Sequence, residues 1–478
     1  MVITWIDQFV MLVTGIFMVP MYLKAFGDHV YGVWLATGGV VAWVAMFNVS
    51  MVSGQRAASA CGRRRFIRAT SYFWGGLCIN VALSLVLSSV GWFIVTGLLR
   101  IWDLSTEESS ALQRAVNYSM LAMMLQFWIS SSAPFLQAVQ RPVYLLYARP
   151  IMAISQLGVL FGGIRMGCGI WIIPMALLVR NAVLATFAMI PAVWISLKLA
   201  RRVIISKATL RDVLRSTSQV VFGYVIMNAG PKLSLLILSL FMSPTWVAAY
   251  DITLRPILFI NTVIGRITVV LIPALSHLVG SGDLLKSRRI MRAGIVIVAS
   301  IAIIAASGYV VFVESFVNLW VGNSRYVGDV LAFSAALGLF YTSMSQQMSN
   351  YVHSSGGVGY AALGGAAGSV VAIVWTYLVA SLAYPELVPI GAVLASIILI
   401  TTYAKWLRKR FVVDVVSLKL IGIMALAALL TLLLATLFGS NLNLQSWVQF
   451  VTAVSIFLML SLLVALPFFW RKHRAKII

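Results

Sequence analysis

Long apolar runs separated by short polar joints fill the chain from end to end. Within each run the apolar residues are continuous rather than alternating. They therefore predict helices in an apolar medium, not barrel strands. Fourteen runs approach the length of about 20 residues that a helix needs to cross a bilayer. Their limits are 2–23, 30–53, 71–98, 115–138, 145–163, 170–197, 216–240, 246–272, 293–317, 327–351, 359–382, 387–404, 418–438 and 447–470. The first run lacks a basic leading segment and a small-residue cleavage site, so it reads as a span and not a signal peptide. No joint is long enough for a soluble catalytic domain.

Composition agrees with the pattern. Of 478 residues, 61% are hydrophobic and 10% charged, and the mean hydropathy is +0.99. The net charge of +23 changes the picture only through its placement. Six stretches hold 26 of the 35 basic residues: Arg56 to Arg68, Arg141 to Arg149, Lys198 to Arg215, Lys286 to Arg292, Lys405 to Lys419 and Arg471 to Lys476. Each follows an even-numbered run. The alternate joints carry Lys24, Arg100, Arg114, Arg165 and Arg325, with the acids Asp28, Asp103, Glu107, Glu108, Asp329 and Glu386. This asymmetry predicts that both termini are cytoplasmic. It also explains the basicity without nucleic acid, for which no soluble module exists. Cys61, Cys78 and Cys168 have no metal-ligand spacing and form no disulfide framework, and the four histidines form no zinc motif.

Four basic residues remain, and all fall inside runs: Arg180, Lys232, Arg255 and Arg266. A charge near mid-bilayer costs about 2.5–3.5 kcal/mol on insertion scales, so it tends to face a partner or a cavity. Asp251 and Arg255 are four residues apart and share a helix face. Arg266 follows about three turns later on nearly the same face, about 16 Å along. The eighth run thus carries a polar stripe.

The longest basic joint divides the chain into weakly repeated lobes. The expected organisation is an N-terminal lobe (1–197), a basic cytoplasmic linker (198–215), a C-terminal lobe (216–404), and an appended pair of spans with a basic tail (405–478). The expected fold is all-α and polytopic: about fourteen transmembrane helices, with two six-helix lobes around a central cavity. Both lobes carry a motif at matching places. YGxW (from Tyr31) opens the second run and GQR (to Arg56) closes it; AxYDxxxRP (from Ala248) opens the eighth and PALSxLxxxGD (from Pro273) follows it. These paired patterns resemble the Wzx-type polysaccharide flippases of the multidrug/oligosaccharidyl-lipid/polysaccharide exporter superfamily. The resemblance covers spans one to twelve. It departs from the family in having fourteen spans where many members have twelve, and in lacking a basic segment before the first.

The resemblance implies a non-enzymatic flippase of a bacterial cytoplasmic membrane. Such a protein would move an undecaprenyl-diphosphate-linked oligosaccharide to the outer leaflet for surface polysaccharide synthesis. Its partners would be that lipid-linked glycan, membrane lipids and glycan-assembly proteins. No cofactor is implied beyond proton or sodium coupling. Arg255, Lys232, Arg266 and Arg180 are the candidates for holding the diphosphate, because guanidinium groups bind phosphate oxygens bidentately and stay charged. Lys232 lies within NAGPKLS, where Gly230 and Pro231 can break the helix and free backbone groups beside the amine. Asp7 and Asp251 are the candidates for ion coupling.

Plainer readings stand beside these. Arg255 would neutralise Asp251, Arg266 would snorkel to the cytoplasmic edge, and Lys232 would mark an ordinary proline kink. Arg180, beside Asn181, would lie at a lobe contact, and Asp7 in the cytoplasmic interface. Glu314 reads as interfacial. Trp43, Tyr224 and Tyr250 are weaker candidates for glycan contact, and Asn48 reads as a helix-to-helix hydrogen bond. A multidrug exporter of the same fold is the alternative function, disfavoured by four intramembrane cations against two carboxylates. A membrane polysaccharide polymerase or glycosyltransferase would need a large outer loop or an acidic metal-binding loop, and the sequence has neither.

Overall fold

The computed structural model describes residues 2–47, 49–200, 205–227, 229–269, 283–322, 324–411 and 444–474, with isolated positions in 275–281 and 422–435. The side chains of residues 1–14, and of some positions within helices, lie outside that description. Among the described residues every regular element is helical. The helices are α1 (Val2–Val44), α2 (Ser50–Gly62), α3 (Phe66–Leu98), α4 (Thr106–Ser130), α5 (Ser132–Ala138), α6 (Val143–Arg165), α7 (Ile172–Leu184) and α8 (Ile190–Ala200). Then come α9 (Lys207–Met227), α10 (Ala229–Ser239), α11 (Pro244–Val269), α12 (Leu284–Val321), α13 (Asp329–Ser354), α14 (Val358–Ser381), α15 (Val388–Phe411) and α16 (Trp447–Arg474). Among the described residues, eight helical stretches are long and apolar enough to span a bilayer. The protein is an all-α multi-pass membrane protein.

The ends and breaks follow local chemistry. Gly27, at φ 76°, breaks α1 between the first two expected runs, in a region where a side chain would be strained. A capping box starts α4: Glu108 N–H donates to Ser105 Oγ (3.2 Å), and Ser105 N–H donates to Glu108 Oε2 (2.9 Å). Asp283 starts α12 by accepting from Lys286 N–H (3.0 Å). A π-helical turn, Ala185–Met189, joins α7 to α8 just before Pro191, which has no N–H for an α-helical ladder. Much of the basic joint 198–215 is itself helical, since α9 starts at Lys207. The expected run 418–438 lies largely outside the described residues.

The chain forms two compact units, Met1–Ala248 and Ala249–Ile478. In the first, α2 packs on α3 and α5, α3 on α4, and α1 on α10. Small residues allow close approach: Gly54 lies against Pro134, and Gly76 against Ser53. Asn80 is fully buried where three helix ends meet. Its Oδ1 accepts from Val49 N–H (2.9 Å), and its Nδ2 donates to Ser130 Oγ and Ser131 Oγ (both 3.0 Å). In apolar surroundings a polar side chain satisfied three ways fixes geometry as well as adding stability. In the second unit, α13 packs on α12 and α15, and α14 on α15. Tyrosine hydroxyls pin these contacts: Tyr351 donates to Met291 O (2.8 Å) and Tyr403 to Ala361 O (2.9 Å). Arg288 donates to Phe411 O (2.6 Å), placing a cation on the last carbonyl of α15. Phe450 and Phe457 of α16 pack edge-on against Phe312 of α12.

Candidate functional site

The opening of α11 is the most elaborated polar constellation on a membrane-length helix. Asp251 is buried and Arg255 half-buried, and Arg255 Nε stands 2.7 Å from Asp251 Oδ2. Helical spacing of four brings the two side chains together. Between them Thr253, fully buried, anchors the helix. Tyr309 of α12 donates to Thr253 O (2.8 Å), Val327 N–H donates to Thr253 Oγ1 (3.3 Å), and Thr253 Oγ1 donates to Arg325 O (3.4 Å). Nearby, Tyr326 donates to Asp329 Oδ1 (2.7 Å); burial, and then that carboxylate, push its phenol pKa up. The start of α11 is thus fastened to α12 and to the loop before α13. Tyr250, weighed as a glycan contact, is only 3% exposed and packs inside.

The other candidates are distributed. Arg266 lies on the last turns of α11 and is exposed, one residue past Gly265, which packs on the Gln346 carboxamide. Lys232 is half-buried on α10, within the unit Met1–Ala248. Asn228, beside the expected helix break, lies outside the described residues, as does the Pro231 side chain. Arg180 is half-buried on α7. Its neighbour Asn181 is buried and donates to Ala122 O of α4 (2.9 Å), so this face of α7 meets a helix. Asp7 is on α1 with its side chain outside the described residues, as are the side chains of Trp43 and Tyr224 and the whole of Asn48. Glu314 is exposed on α12. Among the described residues, no carboxylate pairs with Lys232 or Arg266, and no group of three or more His, Cys, Asp and Glu side chains could hold a metal ion.

Two contacts in the first unit were not legible as chemistry. Asp212 of α9 pairs with Arg56 of the GQR motif (3.2 Å) and accepts from Tyr72 of α3 (3.0 Å). Its signal in the sequence was being the one acid within a strongly basic joint. At the other end of α3, Gly32 of the YGxW motif lies against the backbone of Pro244, the first residue of α11.

No family model and no curated protein matches the chain. Solved structures share its fold at low identity. One is the lipid II flippase MurJ in an inward closed conformation: 13% identity, TM-score 0.72, covering 100% of this chain and 99% of that one. A multidrug resistance MATE family transporter of the MOP superfamily, inward-facing, aligns at 15% identity and TM-score 0.65, covering 85% of this chain and 94% of that one. An outward-facing MATE structure aligns at 12% identity and TM-score 0.62, covering 86% and 94%. These neighbours are transporters and a flippase, not enzymes.

Proposed function

We propose that the protein is a flippase for a polyprenyl-diphosphate-linked saccharide, working by alternating access between lobes 1–197 and 216–404. The observation that carries this reading is the charge balance on α10 and α11. Asp251 is matched by Arg255 at 2.7 Å, and among the described residues Lys232 and Arg266 have no carboxylate partner. Surplus positive charge in an apolar setting suits an anionic headgroup and repels organic cations. Lys232 and Arg266 draw in the diphosphate. Arg255 shares it as the Asp251 pair loosens, and Arg180 serves the first lobe. Asp251, with Asp7, is where a coupling proton or sodium ion acts. The path loads from the cytoplasmic face of a bacterial inner membrane, where the basic joints lie.

The breadth of the structural likeness supports the lipid-substrate reading. The flippase match extends over the whole chain, whereas the MATE matches cover 84–90%. The test uses purified protein in vesicles carrying a labelled polyprenyl-diphosphate disaccharide in one leaflet. Transfer is expected with the parent and is expected to fall at least tenfold in Lys232→Ala and Arg266→Ala at equal protein level. Parental transfer in both variants rejects these sites; absence of transfer by the parent rejects the substrate class. The MATE neighbours favour a second reading, efflux of organic cations, which cationic-dye export from the same vesicles would establish.

A further inference from the structure

We infer that the turn between α2 and α3, together with the last turns of α8, forms a binding site for an anionic glycerophospholipid. All of it lies in the unit Met1–Ala248, and nothing in it depends on the transport reading.

Four exposed arginines crowd this turn: Arg63, Arg64, Arg65 and Arg68. Among the described residues, no carboxylate pairs with any of them. The backbone accepts a local conflict to place one of them. Arg65 N–H donates to Ala60 O and Arg64 N–H to Cys61 O (both 2.9 Å), the two bonds that close a helix at a left-handed residue. Glycine is the usual choice there, and here it is Arg64, at φ 56°. A cation thus stands where local geometry favours glycine, in a cluster whose members repel one another. A bound anion relieves that repulsion, and guanidinium groups hold phosphate oxygens in pairs.

The surface beside the cations is apolar. Phe66 and Ile67, next in the turn, are both exposed. The end of α8 is packed alongside, since Ala192 and Ile195 share a buried cluster with Ala60 and Ala69. On its outward face α8 carries Ile190, Trp194 and Leu197, one turn apart and all exposed. Lys198 ends this stripe, with its Nζ 3.6 Å over the Trp194 ring. The stripe belongs to the membrane-length stretch Ile172–Ala200, and α3 begins another at Phe66. Tryptophan favours the boundary between acyl chains and headgroups. An apolar stripe that runs into a cluster of cations fits an amphiphile: an acyl chain lies along α8 and an anionic head meets the arginines. A free phosphate or an acidic peptide would satisfy the cations and leave the stripe bare.

The test uses the full chain purified in detergent and native mass spectrometry, with phosphatidylglycerol and phosphatidylcholine as probes. The first phosphatidylglycerol is expected to bind the parent about tenfold more tightly than the first phosphatidylcholine. Arg63→Gln, Arg64→Gln and Arg65→Gln together are expected to abolish that preference. The same charge removed from the exposed end of α15, as Arg408→Gln, Lys409→Gln and Arg410→Gln, is expected to leave it within about twofold. Lys198→Gln with Trp194→Leu is expected to weaken phosphatidylglycerol about threefold. That double variant decides the matter if the arginine variant fails to accumulate. Equal loss in the two triple variants overturns the inference, because net charge is then the whole effect. Equal binding of both lipids by the parent overturns it, and so does an unchanged preference in every site variant that accumulates. Displacement of phosphatidylglycerol by equimolar glycerol 3-phosphate or polyglutamate also overturns it, since the ligand is then a free phosphate or an acidic protein.

Discussion

The two ends of α3 are closed by opposite kinds of contact. Near its start, Tyr72 meets Asp212, which also holds Arg56. Just beyond its end, Trp102 holds the end of α10 beside the Gly32–Pro244 contact. The helical run of α3 from Tyr72 to Leu98 puts these about 40 Å apart at helical rise. The first contact is charged and open to water, with 47% of the Arg56 and 37% of the Asp212 side chain exposed. The second is backbone against backbone among buried side chains. Water and salt weaken the first and cannot reach the second. One contact is set by shape and the other by charge, and these respond to different perturbations.

The largest effect should come where charge is drawn partly out of water, between the wet contact and the dry one. Arg255→Ala leaves Asp251 without its 2.7 Å partner, and removing one half of a buried pair costs on the order of 2–4 kcal/mol. A lowered melting temperature in detergent is expected. The double variant Asp251→Asn with Arg255→Gln should recover most of that loss while transfer of a lipid diphosphate stays low. Recovery of transfer along with stability would reduce Arg255 to a purely structural partner. If Arg255→Ala melts like the parent, burial has not made this pair different from the exposed one.

An intermediate effect is expected at Asn80, which is buried like the Gly32–Pro244 contact but polar like the Asp212 contact. Asn80→Ala strands the Val49 N–H and removes the amide that donates to Ser130 Oγ and Ser131 Oγ, at about 1–3 kcal/mol for a buried unsatisfied donor. The loss should appear in thermal melting and be insensitive to salt. A salt-dependent loss would mean that water reaches the site, and the division of the unit into a dry end and a wet end would be misplaced.

The reach of the sequence follows the same physical line. Continuous apolar runs fix where helices lie, and most described helices fall on the expected runs, as Phe66–Leu98 and Val143–Arg165 do. The ion pair was legible because four residues on a helix are neighbours. Thr253, Tyr309 and Asn80 were not, because a hydroxyl or amide in an apolar run looks the same whether it fastens a helix or faces lipid. The Gly32–Pro244 contact joins positions more than two hundred residues apart in the sequence, and local periodicity carries no information about such a pairing. The YGxW motif is visible in the sequence; that its glycine touches Pro244 is a tertiary fact. Asp212 was hidden by its company, since a single acid in a basic joint barely changes the charge pattern used to orient the chain.

The smallest effect belongs to that acid. Exposed pairs contribute about 0.2–1 kcal/mol, so Asp212→Asn should leave the melting temperature nearly unchanged. Its effect should be local: loosening α9 from α2 and α3 lets the first turns of α9, 207–215, open more often. Amide hydrogen exchange there should rise about threefold to fivefold, which corresponds to a loss of up to about 1 kcal/mol. Raising the ionic strength of the parent from about 0.05 to 0.5 M should produce much of the same rise, because screening acts on the charges that the substitution removes. Tyr72→Phe should produce a smaller rise that salt does not reproduce, since it removes a hydrogen bond and leaves both charges. Over the same salt range, amide exchange in residues 31–36, beside the dry Gly32–Pro244 contact, should not move. If it moves in step with exchange in α9, the two contacts are not independent, and the contrast between a contact made by shape and one made by charge fails at its wetter end first.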